Sequence, residues 1–322
     1  MEPETSDVAS PAPTPNLLKQ VFHNDRGLRA GWRLLIFCAM IGVPALGLTL
    51  LAKLANGGAA PQRGPKLSDF AMTAMQALSE LVLFLVILLF TWIMSKIERQ
   101  KMGVYGLPLR KSLFSSFGNG YLFWGFLPLA LLLFILHTLH VFDFGSFSPI
   151  NGEIFGWAIL WAFVFLFVGF FEEYCFRGYF LYTLADGIGF WPAAIIQAIF
   201  FACIHMGNGG ETKVGIIAAG VFALFAAATI WKTGNLWLAV GAHAGWDWGQ
   251  SYFFGVNDSG FQAPGHLLNP STHGPDWLSG GSVGPEGSVV TLVFWVLMFV
   301  AFLLLYKKYP KPALVITEAP KY

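Results

Sequence analysis

Eight apolar runs, each near the length needed to cross a bilayer, constrain this chain more than any other feature of its sequence. They lie at about 33–52, 70–94, 117–141, 154–182, 191–206, 214–231, 235–254 and 288–306. A helix rising ~1.5 Å per residue needs about 20 residues to cross ~30 Å of hydrocarbon. The runs are too long and too continuously apolar to be the alternating strands of a membrane barrel. Composition agrees, with 56% of residues hydrophobic and 11% charged, outside the range of a soluble domain of this size. The fold class that follows is all-α, a polytopic membrane helical bundle of about eight transmembrane helices. The fifth and sixth runs are the weakest, being short or rich in Ala and Gly.

The formal net charge of +1 supplies no field for nucleic acid, so the information in the charges lies in their positions. Lys19, Arg26, Arg29 and Arg33 precede the first run, Lys96, Arg99, Lys101, Arg110 and Lys111 follow the second, and Lys307, Lys308 and Lys311 follow the last. The loops at 143–153 and 255–287 hold acidic residues and no Lys or Arg. Basic loops stay in the cytoplasm, so both termini and 96–111 are expected inside and 143–153 and 255–287 outside. Lys53, Arg63, Lys66 and Lys213 are the exceptions. Residues 1–30 begin acidic and proline-rich and read as a disordered cytoplasmic tail. Residues 31–306 form the multi-pass domain, and 307–322 a second cytoplasmic tail. The expected location is a membrane, with a bacterial inner membrane as the finer expectation. Cys38, Cys175 and Cys203 sit singly in apolar runs, so neither a disulfide framework nor a metal knuckle follows.

Ionisable residues inside the runs are few, and each costs at least ~2.5 kcal/mol in hydrocarbon. The fourth run is uncharged from Ile154 to Phe171 and then reads Glu172, Glu173, Tyr174, Cys175, Phe176, Arg177. The fifth ends with Phe201-Ala202-Cys203-Ile204-His205, and the seventh contains His243-Ala244-Gly245-Trp246-Asp247. On a helix Glu173 and Arg177 share a face at i, i+4, as do His243 and Asp247. Two adjacent carboxylates do not both ionise cheaply in a low dielectric. Glu173 is therefore assigned to a structural pair with Arg177 and Glu172 to proton transfer. Asp247 is placed to fix the tautomer of His243 or to favour its charged form. Counted in from Ile154, Glu172 falls ~27 Å along its helix, near the cytoplasmic boundary, and His243 also falls in the inner half. His205 fits that depth less well.

These three motifs, Glu-Glu-x-x-x-Arg, Phe-x-x-x-His and His-x-x-x-Asp, in this order and each on its own apolar helix, resemble the CPBP or ABI family of intramembrane proteases. That family includes CAAX prenyl endopeptidases and bacteriocin-processing enzymes. The resemblance covers about 172–247. It implies an eight-helix fold in which Glu172 and His205 activate a water, while His243 and Asp247 stabilise the oxyanion. Glu173, Arg177 and Phe201 would support them. Some relatives have Asn where this chain has Asp247, which donates a hydrogen bond only when protonated. The activity implied is endopeptidase cleavage of a membrane-associated, prenylated or leader-bearing substrate near the cytoplasmic face, with membrane lipids as neighbours.

Alternatives stay open at this point. A non-catalytic immunity or scaffold protein of the same fold is one, and a proton-coupled transporter using Glu172, Glu173 and the histidines is another. No cofactor is expected. If a metal is used, it is zinc on Glu172, His205 and His243, although no HExxH occurs. Glu80 reads as a helix–helix hydrogen-bonding group, His137 and His140 as interfacial polar groups, and His266 and His273 as solvated loop residues. Oligomeric state and the purpose of 255–287 are not written in the sequence.

Overall fold

The computed structural model describes residues 21–24, 27–55, 67–208 and 210–307. It is a helical membrane bundle. Eight helical rods follow the eight apolar runs: α1 Ala30–Ala55, α2 Asp69–Ile97, α3 Leu113–Thr138, α4 Gly152–Ile188, α5 Phe190–His205, α6 Lys213–Thr233, α7 Trp237–Trp248 and α8 Val289–Leu305. Five of them, α1 to α4 and α6, are long and apolar enough to span a membrane, while α5 and α8 are shorter apolar helices. A π-helical segment, Gly249–Phe253, prolongs α7.

The rods alternate in direction, and the two ends of the bundle differ. The first end gathers the starts of α1, α3, α5 and α7 with the close of α2, α4, α6 and α8. Here Arg33 of α1 is buried and paired with Glu98 at 2.6 Å and with Asp186 of α4. Tyr105 and Tyr179 hydroxyls also donate to Glu98. Arg33, counted above among the positive flanks, is therefore a buried tie between three rods. At the second end, α2, α4, α6 and α8 each start on a side-chain cap: Ser68, Asn151, Thr212 and Ser288 accept from the amides of Ala71, Ile154, Gly215 and Val290. Each cap satisfies one of the four amides that a helix start leaves without partners.

The loops 143–153 and 255–287, both expected outside, meet at this second end. Strand β1, Phe142–Phe147, pairs antiparallel with β2, Leu268–Thr272, from Phe142 opposite Thr272 to Phe147 opposite Leu268. The long loop is folded. Trp161 donates its indole N–H to the carbonyl of Pro264, and Tyr252 its hydroxyl to Ile154. His266, expected to be solvated, is half-buried with Nδ1 on the Ala263 carbonyl at 2.7 Å, and exposed His273 pairs with Asp143 at 3.0 Å. His137 bonds the Phe142 carbonyl through Nδ1.

Two expectations need adjustment. Of the proposed 30-residue tail, residues 1–20, 25 and 26 lie outside the described residues. Its last part is folded onto α1: His23–Asn24 pairs with Gly27–Leu28, and Trp32 donates to the Val21 carbonyl. Of 307–322 only Lys307 is described. The weakness of the α6 run also has a structural reason. Ala223, Ala226, Ala227 and Ala228 are fully buried, because α6 runs through the bundle centre, where small residues permit close helix approach. On the periphery, α1 turns Val43, Leu46 and Leu54 outward, exposed, as a lipid-facing helix does.

Candidate active site

The α4–α5 hairpin sets the height of two motif residues. Gly189, in the left-handed region at φ 88°, turns the chain between Ile188 and Phe190. Glu172 lies 16 residues before Ile188 and His205 15 residues after Phe190. At ~1.5 Å per residue His205 stands about 22 Å from the turn, and α4 comes down from Glu172 to the same turn through a kink at Gly178. The helical stretch α4 continues past Glu172 to Ile188, 37 residues in all, bent at Gly178 within the π-helical segment Tyr174–Phe180.

Adjacent positions on α4 point Glu172 and Glu173 in different directions. The Glu172 side chain is 27% exposed and faces a cavity of about 340 Å³, whereas Glu173 is fully buried. Glu173 Oε1 accepts from Arg177 Nη1 at 3.0 Å and from His243 Nδ1 at 2.9 Å. A carboxylate only accepts, so Nδ1 carries the proton and Nε2 faces away from Glu173. His243 Nε2 lies 3.4 Å from Asp247 Oδ2 and 3.8 Å from Glu172 Oε2. Of the two parts the sequence offered Asp247, fixing the tautomer of His243 or favouring its charged form, the first is taken by Glu173, and Asp247 sits on the Nε2 side. The reason is geometric: Asp247 one turn up α7 reaches only the outer edge of the ring, while α4 passes beneath its inner edge.

His205 is held in the same tautomer. Its Nδ1 bonds the Phe201 carbonyl one turn earlier at 2.8 Å, which leaves Nε2 as the acceptor. The Phe201 ring lies 4.5 Å from the imidazole, and the Arg177 guanidinium sits 4.0 Å from the same ring. Phe201 therefore links the two helices as a cation–π floor. Arg177 and Phe201 are both buried, so the site is closed beneath.

α7 reaches this position because Gly241 and Gly245 let it pack backbone against backbone on α3. A Cβ at Gly241 would stand 2.9 Å from the Phe117 carbonyl carbon and the Tyr121 amide. His243 lies between these two glycines, a small-xxx-small pattern that went unread in the sequence.

The cavity also receives residues outside the motifs. Glu80 of α2, expected at a helix contact, lines it, as do Glu211, Asp258 and Glu286. Asp258 accepts from the Ser251 hydroxyl, and Glu286 from the amide and hydroxyl of Ser259. Removal from bulk water, and then the charge of Glu286, push the Asp258 carboxyl well above its ordinary range. Removal from bulk water likewise raises Glu286. The only sequence signal for these two was acidity in a glycine-rich loop, which also fits an outer loop. Among the described residues no group of three or more His, Cys, Asp or Glu side chains is arranged to hold a metal ion.

Residues 154–249 match the family model described as type II CAAX prenyl endopeptidase Rce1-like. The likeness to that family is confined to this segment. The segment contains all three motifs and the four rods α4 to α7 that carry them. The matched segment excludes α1 to α3, α8, and both Asp258 and Glu286. No curated protein and no solved structure matches the chain significantly.

Proposed function

We propose that this chain is an intramembrane endopeptidase that hydrolyses a peptide bond in a membrane-associated protein or peptide. The observation that carries this reading is the division of labour on α4: one carboxylate faces a cavity beside a histidine, and its neighbour is fully buried in ion pairs. The match to an endopeptidase family over 154–249 supports it.

Hydrolysis needs a base for water, a donor for the tetrahedral oxyanion and exclusion of bulk solvent. Glu172 accepts one proton of the attacking water, and His205 Nε2 accepts a hydrogen bond from the other. The water oxygen adds to the scissile carbonyl carbon. His243, protonated at Nδ1 toward Glu173, donates from Nε2 to the oxyanion when charged. Asp247 supports that charge and leaves donation to the imidazole. Collapse breaks the C–N bond as Glu172 returns the proton to the leaving nitrogen. Every step uses side chains of the chain itself, so metal-independent hydrolysis is part of the proposal.

The test compares membranes from cells making the wild-type protein and Glu172→Gln. Peptide termini present only with the wild type are expected. Identical sets of termini would leave the non-catalytic scaffold reading in place of this one.

A further inference from the structure

We propose that the cavity takes its peptide from the non-cytoplasmic side of the membrane. This deepens the hydrolase reading and rests on it for the nature of the substrate. The direction of opening rests on the fold alone.

Helices α5, α6 and α8 line the cavity with residues near the second end, while α2 and α4 reach it with Gln76, Glu80, Phe165, Val168 and Glu172 from further along their length. His205 is the last residue of α5, Gly215 the third of α6, and Thr291 the third of α8. Asn208, Asp258 and Glu286 belong to the connections at that end. In the other direction the site is blind. Glu173 and Arg177 are fully buried, and Tyr174 and Phe201 are 1% and 2% exposed. Below them α4 and α5 run on to the Gly189 turn.

Charge then tells the two ends apart. Among the described residues the first end holds Arg29, Arg33, Lys96, Arg99, Lys101, Arg110, Lys111, Lys232 and Lys307, and the second only Lys53 and Lys213. Nine against two is the asymmetry that keeps an end in the cytoplasm. The blind side of the site is the basic side. Its mouth belongs to the acidic loops, and among the described residues no Lys or Arg lines the cavity. The sequence-based ruler put Glu172 near the cytoplasmic boundary by counting residues. The residue count was sound, but the direction of access is set by what closes the cavity. A cytoplasmic lipidated terminus has no path to Glu172 in this arrangement. An exported peptide, or a stretch emerging from the outer leaflet, has one.

Cysteine labelling tests this without requiring turnover. In a background with Cys38, Cys175 and Cys203 replaced by Ala, Asn208→Cys at the mouth and Ser112→Cys at the basic end are each treated, in intact spheroplasts, with a membrane-impermeant sulfonated maleimide. Each variant is first shown to purify as a monodisperse species. The expected result is modification of Asn208→Cys in intact cells and of Ser112→Cys only after permeabilisation. Any other pattern overturns the proposal. Since labelling reads orientation and access only, a cytoplasmic mouth would leave the hydrolase reading standing, and loss of the hydrolase reading would leave the labelling pattern unchanged.

Discussion

Replacing Glu173 by Gln probes the buried centre of the site without changing its volume. Glu173 Oε1 serves two donors, Arg177 at 3.0 Å and His243 at 2.9 Å, and neither Glu173 nor Arg177 has any exposed side chain. Removing one partner of a buried pair leaves an uncompensated charge and costs about 3–5 kcal/mol. Gln retains an acceptor oxygen, so the lower part of that range, about 3 kcal/mol, is expected. Arg177→Met should cost a similar amount. The double variant should cost less than the sum by about 1–3 kcal/mol, since the second change removes the charge stranded by the first. The measurement is equilibrium unfolding of the purified protein in mixed micelles, as a double-mutant cycle. Additive losses within ~0.5 kcal/mol, or a Glu173→Gln loss below ~1 kcal/mol, would refute the reasoning. The same variant should also lose activity beyond its loss of folded protein, because His243 would no longer be held in one tautomer.

Three further outcomes follow from the packing, the loop and the donor set. Gly241→Ala should cost about 1–3 kcal/mol by forcing α7 from α3, whereas Gly118→Ala, whose Cβ meets nothing within 4 Å, should unfold like the parent; the two thermal melts compared side by side decide this. The folded cap keeps Asp258 and Glu286 protonated to higher pH than they are when unfolded. The folded cap therefore holds more protons and loses stability as pH rises above the ordinary carboxylate range. Limited proteolysis within 255–287 should quicken with pH, with a flatter dependence in Asp258→Asn; a rate that falls with rising pH would contradict this. Stripping the purified protein with a strong chelator should leave cleavage unchanged, and stoichiometric zinc with activity lost on stripping and restored on adding zinc back would replace the water-base scheme by a metal one.

Much of the bundle was legible because the bilayer imposes a length on every spanning helix, and the eight apolar runs carry that length directly. The i, i+4 pairing of Glu173 with Arg177 was legible for the same local reason, since helical periodicity fixes it. The bond from Glu173 to His243 joins residues 70 apart across two helices, and no local spacing encodes it. Asp258 and Glu286 escaped for a different reason: acidic residues in an outer loop satisfy the charge rule for topology whether or not the loop folds back over a cavity. Residue counting gives height along one rod. It says nothing of which side the neighbouring rods seal. The pairing of Gly241 and Gly245 was visible in the sequence, but its meaning depends on which helix lies opposite.

The account stands most directly on Glu172 acting as the base for water. A single-turnover reaction in water enriched with oxygen-18 measures this, using proteoliposomes and a peptide spanning a cleavage site found in the membrane comparison. The account predicts one labelled oxygen in the new carboxyl terminus on the first turnover, none in Glu172, and no labelled product from Glu172→Gln. Label appearing in the Glu172 carboxyl, or a Glu172→Gln protein that still yields labelled product at near-normal rate, would contradict it.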